Sequence, residues 1–424
     1  MHISIFVYGT WGDIRPHVVL GMALQKAGHE VQVIASSGYE KWVRDRGLGF
    51  YPLTTDVNTF ARENADLMDK GFISQLQTLR TRIAPIFTQM GLEVMEATRD
   101  SDVLMTVEFG ASLLLDVIKA NKLKPIFINP APINPTRESN TVLPAKPGWF
   151  PFEGWYNRLG YSVLRQSSWR ALAGGRDSLA KQLGLPKSGY KDFRAVVDTA
   201  PALTTVSRHV FQRPSDWGDH WQVTGFLFDD DLDWTPPQDL VDFLAAGEAP
   251  VYIGFGSMPD SKPRATTRTI LDAARQSGKR AVILTGWAGL GVDDAPENIH
   301  ILKYAPHSWL FPRMAAVVHH GGSGTTASGM RAGVPTVVVP HQGDQGFWGR
   351  TVKHLAVGTD PIPRKKLTAD NLAAAITEAT TNHTIQANAR ALGKKISAED
   401  GLTEAVKWVE RYIANQTQSG AGET

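Results

Sequence analysis

The residues whose order could do chemistry are densest at His319-His320-Gly321-Gly322-Ser323-Gly324-Thr325-Thr326, after the apolar run 315–318 and before a helix-forming stretch through 330–332. A glycine-rich turn opening a helix leaves backbone N–H groups unpaired and points the positive end of the helix dipole outward, so the pattern suits a phosphate or diphosphate. Thr325 and Thr326 add hydroxyl donors. No lysine follows the glycines at P-loop spacing, and no acidic residue stands where a dinucleotide fold holds its ribose. A plain strand-to-helix turn that needs glycine is the competing reading. Further on, Pro340-His341-Gln342-Gly343-Asp344-Gln345 follows a second buried run, 336–339. Asp344 and Gln345 would then sit at the carboxyl edge of the same sheet, where open α/β sheets bind ligands. A carboxylate beside an amide suits paired sugar hydroxyls, and an N-cap role for Asp344 stays open. A third constellation, Gly9-Thr10-Trp11-Gly12-Asp13-Ile14-Arg15-Pro16-His17, joins the first strand to the first helix. Asp13 could act there as general base, or cap the helix that Pro16 helps to start. His17 is a rival base whose position beyond Pro16 falls inside the helix. Gly254-Phe255-Gly256-Ser257 marks one more turn at a strand end. A metal is not expected: His319 and His320 are adjacent and point to opposite faces of a strand, and Asp229, Asp230 and Asp231 lie in a proline-bounded segment.

These constellations need a scaffold, and the hydropathy pattern supplies one. An apolar β-branched run at 3–8, a helical pattern at 18–27 and a second strand at 31–35 make a βαβ unit. Buried strands recur at 102–109, 125–129 and 203–206, then at 251–255, 281–284, 315–319 and 335–339. Both halves therefore read as α/β. Between them, Asp229 to Pro237 is acidic and stiff. The expected organisation is a Rossmann-like domain at 1–228, a linker at 229–238, a second Rossmann-like domain at 239–400, an amphipathic helix at 401–415 and a disordered tail at 416–424. Less regular stretches at 56–99 and 133–169 carry many aromatic rings. They read either as satellite core under long loops or as walls of an apolar acceptor pocket, in which case Phe60, Phe72, Phe109, Trp149 and Phe152 would line it.

With 424 residues two domains are expected, at roughly 100 to 200 residues each. Lys+Arg 44 against Asp+Glu 42 leaves no polybasic footprint for nucleic acid or a membrane anchor. No cysteine means no disulfide scaffold and no thiolate nucleophile. With no signal peptide and no 18-residue apolar span, the expected product is soluble and cytoplasmic.

The stretch from Tyr304 to Gln345 resembles the donor-binding signature of family 1 glycosyltransferases of the GT-B fold. It is most similar to sterol 3-β-glucosyltransferases and to the antibiotic-aglycone glucosyltransferases of bacteria. The residues that carry it are Pro306, His307, Trp309, Leu310 and Phe311, the 319–326 turn, Arg331, Ala332, Gly333 and Pro335, and Gly343, Asp344 and Gln345. Gly9 to Pro16 matches the amino-terminal loop of the same group, and Gly254 to Met258 its second-domain turn. The resemblance implies two Rossmann-like domains facing a cleft, 1–228 binding the acceptor and 239–400 the nucleotide-sugar, with a carboxyl-terminal helix crossing back to the first. It implies pyrophosphate contacts from His320, Gly324 and Thr325, sugar contacts from Asp344 and Gln345, and Asp13 as the base. Gly12, Ser257, Trp287, Tyr304, His307, Gly322 and Ser323 fall among its donor-site positions. Tyr304 lies where plant members stack a tryptophan on uracil, at a spacing two residues shorter. Ser328 stands where they carry a ribose-binding glutamate, so UDP and dTDP both stay open. The implied reaction is inverting, metal-independent transfer of a hexose, glucose by resemblance, to a hydroxyl of a sterol, triterpenoid, polyketide or flavonoid. The donor is a substrate, and no permanently bound cofactor is implied. Two alternatives use the same phosphate turn: a sugar-nucleotide epimerase or hydrolase, and a non-catalytic nucleotide-sugar or lipid-binding homologue. A metal-dependent transferase would instead use the acidic run near Asp230.

Overall fold

The computed structural model describes residues 1–55, 84–143, 146–230, 234–256, 262–284 and 296–420, with side chains to residue 414. The chain divides into two compact units, Met1–Leu227 with Asp400–Thr424, and Phe228–Glu399.

In the first unit β1 (His2–Phe6), β2 (Glu30–Ser36), β3 (Gly49–Leu53), β4 (Val103–Thr106), β5 (Lys124–Asn129), β6 (Ala202–Thr204) and β7 (Trp221–Val223) form a parallel sheet in the order β3-β2-β1-β4-β5-β6-β7. Ile3 lies opposite both Val31 and Val103, so alternate residues share a face. Ile3, Ile5, Val33 and Met105 meet Ile14 and Val18 of α1 (Trp11–Lys26) on one side. Phe6, Ile34 and Leu104 meet Leu114 and Val117 of α2 (Glu108–Ala120) on the other. Strands buried on both faces need apolar residues at every position, which is why the central ones are visible as continuous runs.

In the second unit β8 (Val251–Gly254), β9 (Ala281–Leu284), β10 (Ile299–Leu302), β11 (Ala316–His319) and β12 (Thr336–Val338) are parallel in the order β10-β9-β8-β11-β12. β1 pairs with both β2 and β4, and β8 with both β9 and β11. The connections leave in opposite directions at those two places, opening a crevice at the carboxyl ends of the strands.

Three strands escaped the sequence pattern, β3, β7 and β10, and all three are sheet edges with partly exposed positions. β12 is also an edge, yet it is buried throughout and bridged to Gly358, and its pattern was legible. The strand expected at 102–109 stops at Thr106, because Glu108 and Phe109 already belong to α2.

Two of the expected connectors differ in the structure. Asp230 is no spacer: its carboxylate takes both ends of the Arg331 guanidinium, at 3.1 Å and 2.5 Å, and that guanidinium lies 3.7 Å from the Phe228 ring centroid. The helix expected at 401–415 continues through the start of the segment expected to be disordered, as Gly401–Gly420, since nothing before Gly420 breaks it. Its Ala405, Trp408 and Val409 join the core of the first unit.

Candidate functional site

In the first unit α1 starts directly after β1, with Thr10 as an extended N-cap. The Thr10 backbone N–H donates to Asp13 Oδ2 at 2.8 Å and the Thr10 hydroxyl to the same oxygen at 3.3 Å. Asp13 therefore does cap, and both bonds end on one oxygen of the carboxylate. The loop is built around that group. A Cβ on Gly9 would collide with Asp13 Oδ2, and the Tyr39 hydroxyl donates to the Gly9 carbonyl at 3.3 Å. Trp11 stands edge-on to Tyr39 at 4.8 Å and to Trp42 at 5.2 Å. Burial raises the Asp13 pKa above the ordinary carboxylate value, and the Thr10 bonds offset part of that rise.

His17, the rival base, is 2% exposed on the inner face of the helix. Its Nδ1 donates to the Asp13 carbonyl at 2.7 Å, and burial lowers its pKa to about 4. It is neutral near pH 7 and anchors the peptide that carries Asp13. Gly12 is exposed in the first turn of α1.

In the second unit the glycines of the 319–326 turn earn their places by close approach. The His320 ring fits between Gly256 and Gly322, where a Cβ would come within 2.9 Å of its Cε1 and 2.5 Å of its Nε2. Gly321 has φ +90°, and a Cβ there would lie 2.7 Å from Val338 Cγ1. His319 pairs with Gly254 across the β11–β8 register, which sets the turn after Gly254 beside the phosphate turn. Helix α3 (Ser323–Ala332) follows with Gly322 as N-cap and no acidic residue in its first turn, and a Cβ on Gly324 would meet nothing within 4 Å. Ser323 and Thr325 are half-buried at this terminus. Thr326 and Ser328 instead donate to the Gly322 and Gly324 carbonyls, each at 2.9 Å, so Thr326 is spent inside the helix and drops out as a ligand donor.

Burial, helped by the neighbouring His341, lowers the His320 pKa to about 4; burial with His320 and His307 nearby depresses His319 well below its usual value. Both rings are neutral near pH 7. His319 Nδ1 accepts the Gly321 N–H at 2.9 Å, while His320 Nδ1 is enclosed with no hydrogen-bond partner among the described residues. His307 stacks on Phe311 at 4.3 Å, and Tyr304 is 42% exposed.

Asp344 opens helix α4 (Gln345–His354) without a side-chain cap; its Oδ2 accepts the Trp348 indole N–H at 3.0 Å. The signal for this partner was present, since Trp348 is one helical turn on. Gln345 is 5% exposed, and its Oε1 accepts the His341 and Gln342 N–H groups at 2.8 and 3.1 Å, clasping the loop. Its carbonyl oxygen is committed to that clasp. Ser257, Trp287, Phe60 and Phe72 lie outside the described residues. Phe109 stands at the carboxyl edge of β4 and is 46% exposed. Trp149 and Phe152 are 82% and 67% exposed and pack on neighbouring rings of their own segment.

Residues 3–126 match the Glycosyltransferase family 28 N-terminal domain, and residues 268–411 match the Erythromycin biosynthesis protein CIII-like, C-terminal domain. A sterol 3-beta-glucosyltransferase of Arabidopsis thaliana is 32% identical over 99% of this chain and 67% of its own length. This chain belongs to the sterol 3-beta-glucosyltransferase family of GT-B glycosyltransferases. Its Emericella nidulans relative of the same description is 31% identical over 98% of this chain, which spans 30% of that longer protein. Among solved structures the glycosyltransferase shares its fold with the glycotransferase of kitacinnamycin (TM-score 0.67, 20% identity, 97% of this chain and 98% of that one). It shares it equally with the glycosyltransferase VinC in complex with dTDP (TM-score 0.64, 19% identity, 97% and 99%). The glycosyltransferase therefore transfers a sugar to an acceptor, as its family does.

Proposed function

We propose that this glycosyltransferase moves a hexose, glucose from UDP-glucose in the first instance, to a hydroxyl of an apolar acceptor of the sterol class, with inversion and without a divalent cation. The observation that carries the reading is the start of α3: an acid-free helix N-terminus behind a glycine turn, with a neutral histidine packed between two glycines. Such a terminus holds a diphosphate through backbone N–H groups and the helix dipole. His320 contributes a ring N–H without a charge, and Thr325 a hydroxyl. As the bond from the anomeric carbon to the diphosphate oxygen breaks, these donors meet the charge that develops on the leaving group.

The acceptor oxygen forms the new bond to that carbon, and its proton passes to Asp13. A carboxylate with a pKa near ~4 is a weak base for a free alcohol, so transfer comes late, once the oxygen has become acidic. The raised pKa of Asp13 makes it a better base than an exposed aspartate. One carboxylate and one displacement give inversion. The rival that recruits the acidic run to a metal is disfavoured because Asp230 spends its carboxylate on Arg331. The test is an acceptor panel of sterols, triterpenoids, polyketides and flavonoids with UDP-glucose and dTDP-glucose, products read by mass spectrometry with and without chelator. A glycoside plus nucleoside diphosphate is expected. An isomerised or hydrolysed sugar alone would mean the epimerase or hydrolase instead.

A further inference from the structure

An aspartate at the start of a helix ordinarily turns back to accept from the backbone N–H groups of the first turn, and Asp344 does not. Its Oδ2 accepts the indole N–H of Trp348 at 3.0 Å, while the Trp348 backbone N–H donates to the Asp344 carbonyl at 3.2 Å. Trp348 is fully buried, and a ring of that size in a close-packed interior keeps one orientation. Its single polar atom needs an acceptor there, and Asp344 provides it. The helix that carries the ring has no room to shift. A Cβ on Gly349 would lie 2.7 Å from Pro361 Cβ and 3.4 Å from Val338 Cγ1, so α4 is pressed against β12 and the chain after it. The Phe347 ring stands edge-on to the indole at 5.1 Å. The N–H is therefore a fixed point, and the half-buried carboxylate is the side chain that it orients.

The place of this carboxylate gives the bond its use. A Cβ on Gly321 of the phosphate turn would lie 3.1 Å from the Gln345 carbonyl oxygen and 3.3 Å from Gln345 Cβ, so the residue after Asp344 touches that turn. The clasp of Gln345 Oε1 on the His341 and Gln342 N–H groups fixes the loop that leads into Asp344. A carboxylate held at one oxygen presents its remaining lone pairs in a definite direction, and a hydroxyl bonded to an ionised acceptor is held more strongly than one bonded to a neutral group. Holding that direction in advance also removes rotamer entropy that binding would otherwise lose.

We infer that Trp348 is a positioning residue for donor recognition: its indole N–H sets the Asp344 carboxylate for the hydroxyls of the transferred sugar, and so acts on the sugar and not on the nucleotide. This rests on the proposed function, in which a diphosphate at α3 carries that sugar.

The test is calorimetric titration of the full chain with UDP and with UDP-glucose, or with the dTDP pair if the wild type selects it, in the absence of acceptor. Trp348→Phe deletes the N–H, and Trp348→benzothienylalanine deletes it while keeping the shape of the ring. Both should leave the Kd for the nucleoside diphosphate within about twofold and raise the Kd for the nucleotide-sugar about tenfold, the weight of one charge-assisted hydrogen bond. In steady-state assays the donor KM should rise with it, and the acceptor KM should not. Asp344→Ala should lose at least as much on the nucleotide-sugar, and adding Trp348→Phe to it should weaken binding by no more than about twofold further, because the indole acts through that carboxylate. Melting temperature reports separately the packing lost in the phenylalanine variant. Equal losses on the nucleoside diphosphate and the nucleotide-sugar overturn the inference, since they would give the indole a purely structural role. So do an unchanged Kd for the nucleotide-sugar in the benzothienylalanine variant and additive losses in the double variant. Those results leave the proposed reaction standing. A wild-type chain that binds neither UDP-glucose nor dTDP-glucose overturns the proposed function, and this inference with it.

Discussion

Each unit places a helix N-terminus beside the point where its strand order reverses, after β1 in the first and after β11, the neighbour of β8, in the second, and the two are filled in opposite ways. In the first, α1 follows β1 and puts its own carboxylate, Asp13, in the first turn, bonded back to Thr10. In the second, α3 follows β11 and puts no acid there; glycine, serine and threonine leave the terminus open. The dipole is the same in both. A terminus already occupied by an internal anion is fitted for handling a proton, and one left unoccupied is fitted for receiving an anion from outside. The histidines differ as well. His17 is sealed behind Asp13 and tethers its peptide through Nδ1, whereas His320 is half-buried between two glycines; each ring keeps one enclosed nitrogen without a hydrogen-bond partner among the described residues.

The largest break in this comparison comes from Asp13→Asn. The amide oxygen still accepts from Thr10, so melting temperature and donor affinity should hold while kcat falls about 10²- to 10⁴-fold. Retained turnover would remove the proton-handling half of the contrast. Next is Gly324→Asp, which gives the second terminus the character of the first. A Cβ fits there without contact, so the fold should be kept, while KM for the nucleotide-sugar rises at least about tenfold in steady-state assays. An unchanged donor KM would mean that the diphosphate does not sit at α3.

Gly9→Ala should lower kcat about tenfold with donor binding unchanged, because the new methyl displaces the Asp13 carboxylate. A variant with full kcat would show that the carboxylate need not be held where the loop holds it.

The last effect is on stability rather than turnover, and it also separates the two kinds of group. Burial lowers the folded pKa of His17 and of His320 to about 4, below the ordinary imidazole value of about 6.5, so the unfolded chain takes up protons first as pH falls. Their contribution should be fully favourable above pH 6.5 and shrink between pH 6.5 and 4, by about 3 kcal/mol for a group as buried as His17. Asp13 has the opposite sign: its raised folded pKa costs stability at neutral pH, and that cost is relieved as pH falls through it. Urea melts across this range should lose stability on acidification, and less so in His17→Leu after correction for its lower starting stability. Donor affinity should stay flat between pH 8 and 6, since a His320 with a pKa of about 4 does not change charge there.

Much of this was legible in the residue order, for identifiable reasons. Central strands of a parallel sheet are apolar at every position, so β1, β8 and β11 show as runs, and the glycine turn after β11 shows because only glycine tolerates both φ +90° and the approach of Val338. The edge strands β3, β7 and β10 did not show, because their partly exposed positions admit Gly49 and Pro52, Gln222 and His300, which break the apolar run. The capping and catalytic readings of Asp13 could not be separated by sequence, since both call for a carboxylate at the same spacing, and the structure shows the first to be compatible with the second.

By themselves the residues determined the fold class and the candidate loops with the chemistry that each could hold, because those follow from local periodicity and side-chain type. Only the tertiary structure decided which groups are spent and which remain. Gln345 clasps its own loop, Thr326 bonds its own helix, Asp230 holds Arg331, and Trp149, Phe152 and Trp155 stand exposed. The reason is that satisfaction of a polar group and burial of an apolar one depend on neighbours brought from elsewhere in the chain, and no spacing rule counts them.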